Sequence, residues 1–391
     1  MTSPPAVLGG PQAFPGGLPI VRPYVPGVPA LGARLQSILE SGHLTNGPTV
    51  AELEERVADL VGVAHVVAVA SCTSGLMLVL QALGATGRVV LPSFTFSASA
   101  HAVVWAGGSP DFAEVDGATC TLDPTDAAAL VEGASAMTAT HVYGTPCRTG
   151  ELQALADGAG IPLVYDAAHA LGSRRAGVPI GGFGTAEVFS LSPTKVVVAG
   201  EGGLVSTNDA GLAEACRVGR DYGNPGDYDC RFPGLNARMS ELHAAVALAS
   251  LDGLDERIAH RGALVARFRT GVAGVAGLTT AAVAEGDTST YKDLTVVVDP
   301  AGFGVSAVRL ARALKAEGID SRRYYHPPIH LQKAYASLWP QRRPLPVTEE
   351  LSTRVLSVPL WSHMTTGQID GVADAVARIH AGAEAVNRAL D

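Results

Sequence analysis

Lys195 closes the segment Ser190-Leu-Ser-Pro-Thr-Lys195, and Val-Val-Val-Ala and Gly200-Glu-Gly-Gly203 follow it directly. An ammonium at the edge of an apolar run gives up hydration that a surface lysine keeps. That loss favours the neutral amine, the form that condenses with an aldehyde cofactor to a Schiff base. The same placement suits a strand-end lysine whose head reaches back to water. A carboxylate in a comparable position, Asp166, ends the apolar run Pro162-Leu-Val-Tyr and precedes Ala-Ala-His169. It is poorly solvated there and needs a hydrogen-bonding or charged partner. A ring nitrogen held protonated by it is one partner, making a pyridine ring a stronger electron sink; capping a helix after the strand is the other reading. Cys72-Thr-Ser-Gly75 separates a β-rich run from the apolar helical stretch 76–83. The N–H groups of such a helix start, beside the hydroxyls of Thr73 and Ser74, suit either a phosphate or an ordinary cap.

These residues need a frame. Thr49-Val-Ala-Glu52 has the spacing of a capping box, and Leu53, Val57, Leu60 and Val61 follow at helical intervals, which predicts a helix over 49–61. Short apolar runs at 89–92, 112–115, 138–143, 162–166, 187–190 and 203–206 then alternate with helical patterns. Strands spaced by helices predict an α/β fold with a mostly parallel sheet covered on both faces. Ligands collect at the carboxyl ends of such strands, where Thr73, Ser74, Asp166 and Ser190 fall. From Met239 the pattern turns helical, and a long helical run over 254–272 leads into a small C-terminal α+β domain. The expected division is 1–253, an N-terminal arm and large domain, and 254–391, a linking helix and the small domain.

Composition narrows the chemistry. At 391 residues the chain exceeds what one core usually holds, in keeping with two domains. A net charge of -9 leaves no basic stripe for a phosphate backbone or an anionic membrane, so nucleic acid and membrane are excluded as partners. Five widely spaced cysteines without a Cys-x-x-Cys pair describe a reduced, cytoplasmic chain with no disulfide framework and no metal site. Residues 1–27 lack the basic start and apolar run of a signal peptide, and no apolar run reaches membrane-spanning length. Neither a Gly-x-Gly-x-x-Gly fingerprint nor a P-loop occurs. The prolines in His326-Pro-Pro-Ile-His330 forbid a helix aiming both histidines at one metal, which leaves them as loop residues lining a cleft. Phe94 and Phe96 offer rings either to a cofactor or to the core.

Leu44-Thr-Asn-Gly-Pro48, Ser71-Cys-Thr-Ser-Gly75, Pro92-Ser-Phe-Thr-Phe96, Asp166-Ala-Ala-His-Ala-Leu-Gly172, Ser190-Leu-Ser-Pro-Thr-Lys195, Gly234-Leu-Asn-Ala-Arg-Met-Ser-Glu241 and His326-Pro-Pro-Ile-His-Leu-Gln332 occur in that order. Together they resemble the DegT/DnrJ/StrS family of fold-type I pyridoxal-phosphate (PLP) sugar aminotransferases along nearly the whole chain. The resemblance implies that Lys195 carries the internal aldimine and shuttles protons, and that Asp166 pairs with the pyridinium nitrogen. His169 then sits near the ring and Phe96 stacks on it. Thr73, Ser74 and Ser190 hold the phosphate, with Asn236 reaching it from a neighbouring subunit of a homodimer with shared active sites. Arg238 and the loop from Tyr325 through His326 to His330 contribute to the substrate pocket. The family's dehydratases replace the lysine by histidine, so Lys195 implies transamination. The expected reaction moves an amino group from glutamate to a nucleotide-linked ketosugar, with a 4-keto-6-deoxyhexose favoured. An aminocyclitol aminotransferase and a PLP-binding regulator without turnover are the alternatives. One departure stands out: many members have an aromatic residue and a histidine where this chain has Leu191 and Ser192.

Overall fold

The computed structural model describes residues 3–335, 338 and 343–391. In strand β1 (His65–Val69), Val67 and Val69 join one apolar cluster and Val66 and Ala68 another, so both faces of the strand are covered. The same two-sided burial recurs in β2 (Arg88–Pro92), β4 (Ala136–Thr140) and β5 (Leu163–Asp166), with β3 (Ser109–Ala113) at the sheet edge. A short hairpin, β6 (Arg174–Arg175) and β7 (Val178–Pro179), precedes β8 (Ala186–Ser190) and β9 (Gly203–Thr207). The seven long strands lie in the order β1-β9-β8-β5-β4-β2-β3, and every pairing is parallel except the two made by β9. Continuous burial on both faces explains why these strands read as unbroken apolar runs.

A second sheet, β10 (Leu278–Thr280), β11 (Leu294–Val298) and β12 (Val355–Val358), is antiparallel and shares an apolar cluster with the helices Ala307–Ala316 and Thr366–Ala381. The helix Leu254–Gly271 runs into this cluster through Leu264, Val265 and Phe268. Among the described residues no helix is long and apolar enough to cross a membrane.

Two features differ from the sequence-based expectation. The arm that opens the 1–253 division packs on the later sheet instead: Leu18 is buried in its cluster and pairs with Ile319, and Phe14, Val7 and Leu8 lie against it. The carboxylate of Glu317, itself fully buried, accepts the N–H groups of Ala6 (2.8 Å) and Ala13 (3.0 Å) and pairs with Arg378 (3.1 Å). Scattered apolar residues in a proline- and glycine-rich run carry no periodicity, so their partner is invisible locally. The second difference concerns the first predicted helix, which spans Pro48–Val61 and starts after Gly47, placing Thr49 inside its first turn. Thr49 therefore does not cap it. The Glu241 carboxylate does, accepting from the N–H groups of Gly47 (2.9 Å), Thr49 (2.8 Å) and Val50 (2.9 Å).

Candidate active site

The carboxyl ends of β1, β5 and β8 meet at one edge of the large sheet, and antiparallel β9 starts there, with Gly203 opposite both Val69 and Ser190. A Cβ on Gly203 would lie 2.5 Å from the backbone nitrogen of Cys72, so only glycine lets β9 pass beneath the helix Cys72–Ala82. This edge and the loops of the small sheet enclose a cavity of about 390 Å³ lined largely by apolar surface. Thr73, Phe96, Asp166, His169, Ser190, Lys195 and Tyr325 all line it.

Lys195 sits in the loop joining β8 to β9. The apolar run after it is not a strand: Val196–Ala199 are buried beneath the loop, tied by Ala199 N–H to Leu191 C=O (2.7 Å) and Val198 N–H to the Ser250 hydroxyl (3.0 Å). Those apolar residues anchor the loop from below and hold the lysine half-buried in the cavity wall. Burial first, and the Lys292 ammonium second, bring its pKa down to about 8. The neutral-amine fraction near neutral pH is thereby raised far above that of a surface lysine. Leu191 lies wholly in the core and only Ser192 of that pair reaches the cavity, so the departure at 191–192 alters a single lining side chain.

Asp166 is buried at the end of β5, and its partners are neutral donors. Oδ2 accepts from the Ser99 hydroxyl (2.6 Å) and Oδ1 from the N–H of Ala168 (3.1 Å), with the Cys72 thiol 3.9 Å away. Ser99 continues a chain through Thr95 (3.1 Å) to Thr140 (3.1 Å). Burial, then Asp166, raises the Cys72 thiol well above its usual pKa, so it stays protonated beside the carboxylate. His169 accepts the Tyr143 N–H at Nδ1 (3.1 Å), which leaves the ring proton on Nε2. Burial together with the ammoniums of Lys195 and Lys292 pushes its pKa well below the usual value, so the ring is neutral.

The other expected residues lie elsewhere. The Ser74 hydroxyl is committed to a reciprocal cap with Ser71, leaving Thr73 as the hydroxyl facing the cavity at that helix start. Asn236 is exposed and Arg238 is bonded to Asp221 (2.7 Å) and Asn236 (3.3 Å); neither lines this cavity. His326 lines an adjoining cleft of about 360 Å³ with Arg322 and Arg323, which shares Thr95, Phe96, Tyr324 and Tyr325 with the first. His330, expected in the pocket wall, is buried instead, with Nδ1 against the Ser93 hydroxyl and Nε2 3.4 Å from Glu349. Its backbone N–H donates to the same Ser93 hydroxyl (3.0 Å), which fixes the residue inward. Among the described residues no group of metal-ligating side chains converges.

Sequence reasoning missed Ser99, Thr95 and Lys292. The hydroxyl-rich Ser93–Ser99 stretch after β2 carried a weak signal for the first two. Lys292 follows Tyr291 in an unpatterned loop and enters the cavity only because the small sheet packs over the large one.

An amine with a lowered pKa, a buried carboxylate backed by neutral donors, a neutral histidine and a helix N-terminus around one cavity fit a PLP-dependent enzyme. The chain belongs to the DegT/DnrJ/EryC1/StrS aminotransferase family, whose sequence pattern matches residues 30–377. It is 35% identical to the dTDP-3-amino-3,4,6-trideoxy-alpha-D-glucose transaminase of Streptomyces venezuelae, over 88% of this chain and 90% of that one. It is 32% identical to the spore coat polysaccharide biosynthesis protein SpsC of Bacillus subtilis (strain 168), over 88% and 93%. The solved structure of DesI with its TDP-sugar product superposes with a TM-score of 0.92 at 39% identity, covering 99% of each chain.

Proposed function

We propose that this enzyme transfers the amino group of L-glutamate to a nucleotide-linked 4-keto-6-deoxyhexose, acting in the cytoplasm as a homodimer. The observation that carries this reading is the end-to-end likeness to DesI, solved with a TDP-sugar product. The adjoining cleft supports it, since Arg322 and Arg323 beside Phe96 and Tyr324 offer charge to a diphosphate and rings to a base.

Bound PLP supplies an aldehyde for the lysine amine and a ring that withdraws electrons from the reacting carbon. Asp166, fixed by Ser99 and the Ala168 N–H, keeps a proton on the ring nitrogen. The neutral His169 ring and Phe96, which line the cavity, would flank the cofactor ring. Thr73 and Ser190 hold the phosphate at the N-terminus of the helix Cys72–Ala82. The partner's copy of Asn236, exposed and outside the cavity of its own chain, would complete that cradle. Lys195 Nζ moves the proton off the donor carbon and later onto the hexose carbon.

Conversion of glutamate to 2-oxoglutarate in the presence of dTDP-4-keto-6-deoxyglucose, with a keto-inositol in parallel, tests the reading. Turnover of the sugar is expected; turnover of the cyclitol alone would falsify it. Borohydride should remove the visible cofactor band, and Lys195→Ala should lack that band and lose more than about 100-fold in kcat.

A further inference from the structure

A second lysine enters the same cavity. Lys292 is 6% exposed, lines the cavity, and holds Asp293 at 2.8 Å while its ammonium lies 5.3 Å from the centre of the Tyr324 ring. Its backbone is fixed at both ends. The N–H donates to Tyr143 C=O (2.8 Å), and the C=O accepts from Arg261 (3.1 Å), a buried residue of the helix Leu254–Gly271 that also binds Thr290 C=O (2.9 Å). A flexible side chain with its head and backbone both restrained is preorganised, and it gives up little entropy on meeting a ligand.

The charges around the cavity say what that ligand is. Among the described residues lining it, Lys195 and Lys292 are the two with cationic side chains. Lys195 is the amine that reacts, so Lys292 is the cation that this chain's described lining offers to an anion, beside the carboxylates of Asp166 and Glu201. A buried ammonium with three N–H donors has spent one on Asp293 and needs acceptors for the others.

Two substrate anions are available under the function proposed above, and geometry separates them. An amino acid's α-carboxylate is attached to the very carbon whose proton Lys195 takes, so its receptor must stand next to Lys195. A sugar diphosphate is several bonds away from C4 and falls toward Arg322 and Arg323 in the adjoining cleft. Lys292 lines the same cavity as Lys195, whereas Arg322 and Arg323 line the adjoining cleft instead.

We propose that Lys292, held by Asp293 and Tyr324, is the receptor for the α-carboxylate of the amino donor. The inference rests on the aminotransferase reading but not on the identity of the sugar.

The test separates the two half-reactions in PLP-loaded enzyme. Loss of the visible band on adding L-glutamate follows the donor half; its return on adding keto-sugar follows the acceptor half. Binding of α-methyl-L-glutamate, which has no proton to lose, gives an affinity independent of turnover. For Lys292→Met, the dissociation constants for both amino acids should rise roughly ten- to hundred-fold, the loss expected of a charged hydrogen bond, while the keto-sugar constant stays within about two-fold. Lys292→Arg should recover most of the donor affinity. Equal losses for donor and sugar, a loss confined to the sugar, or no loss would each overturn the proposal, as would an arginine variant no better than methionine. If wild-type enzyme keeps its band with every amino acid, the transaminase reading fails with it; if wild-type responds and Lys292→Met matches it, the proposal alone fails.

Discussion

Asp166 would be a weakly specified carboxylate without Ser99. One short hydrogen bond from that hydroxyl fixes the carboxylate's orientation together with the Ala168 N–H, and Thr95 and Thr140 in turn orient the hydroxyl. Ser99→Ala is therefore expected to weaken PLP retention by about ten-fold, corresponding to one hydrogen bond to a charged group, whereas Ser99→Thr keeps the donor and most of the affinity. Cofactor release measured by dialysis or fluorescence checks this; identical losses in both variants would mean that packing rather than hydrogen bonding is at stake. Lys195 and Asp166 stood out in the sequence as charges set against apolar runs, each with a structural reading also open, and the ordered family motifs decided between the two. Ser99 and Lys292 were not. Their importance depends on what lies across space: a serine among hydroxyls becomes a positioning group only when β5 brings Asp166 to it, and a lysine after a tyrosine becomes a pocket residue only once two sheets meet. His330 was misplaced for the complementary reason, since two histidines in one turn need not face the same way.

At the scale of elements, most strands announced themselves because both faces are buried, and their ends were found within a few residues. Helix starts were harder. The first predicted helix was recognised by its apolar spacing, but its cap comes from Glu241, remote in sequence, and no local window contains it. Burial alone would raise the Glu241 carboxyl; the N–H groups of Val50, Thr49 and Gly47 outweigh it and hold the pKa below its ordinary value. A carboxyl whose pKa is depressed by folding contributes stability above its unfolded value, and that contribution fades as pH falls through the folded one. Glu241→Gln should accordingly cost about 1.5–3 kcal/mol at pH 7. The gap to wild type should narrow in acid as the native carboxyl takes up a proton. Urea midpoints at neutral and acidic pH decide it, and an undiminished gap in acid would rule out the charge as the cause.

For the whole molecule, the proposed sharing of sites makes a prediction that one chain cannot test. Asn236→Asp places a second negative charge where the partner's phosphate would lie, and Lys195→Ala removes the amine, so each homodimer should be inactive. Refolding the two together should create mixed dimers in which one site has an intact lysine and an intact partner asparagine, and activity should reappear. Continued silence despite mixed dimers would place Asn236 outside the partner's site. The arm beneath Glu317 carries a different consequence, one of timing. Ala13 is joined to a carboxylate 304 positions further along the chain. At ribosomal speed these lie tens of seconds apart. During that interval Phe14 and Leu18 have left the ribosome with no surface to cover them, while the large sheet between is completed. A segment made before the large sheet is thus among the last to find its place.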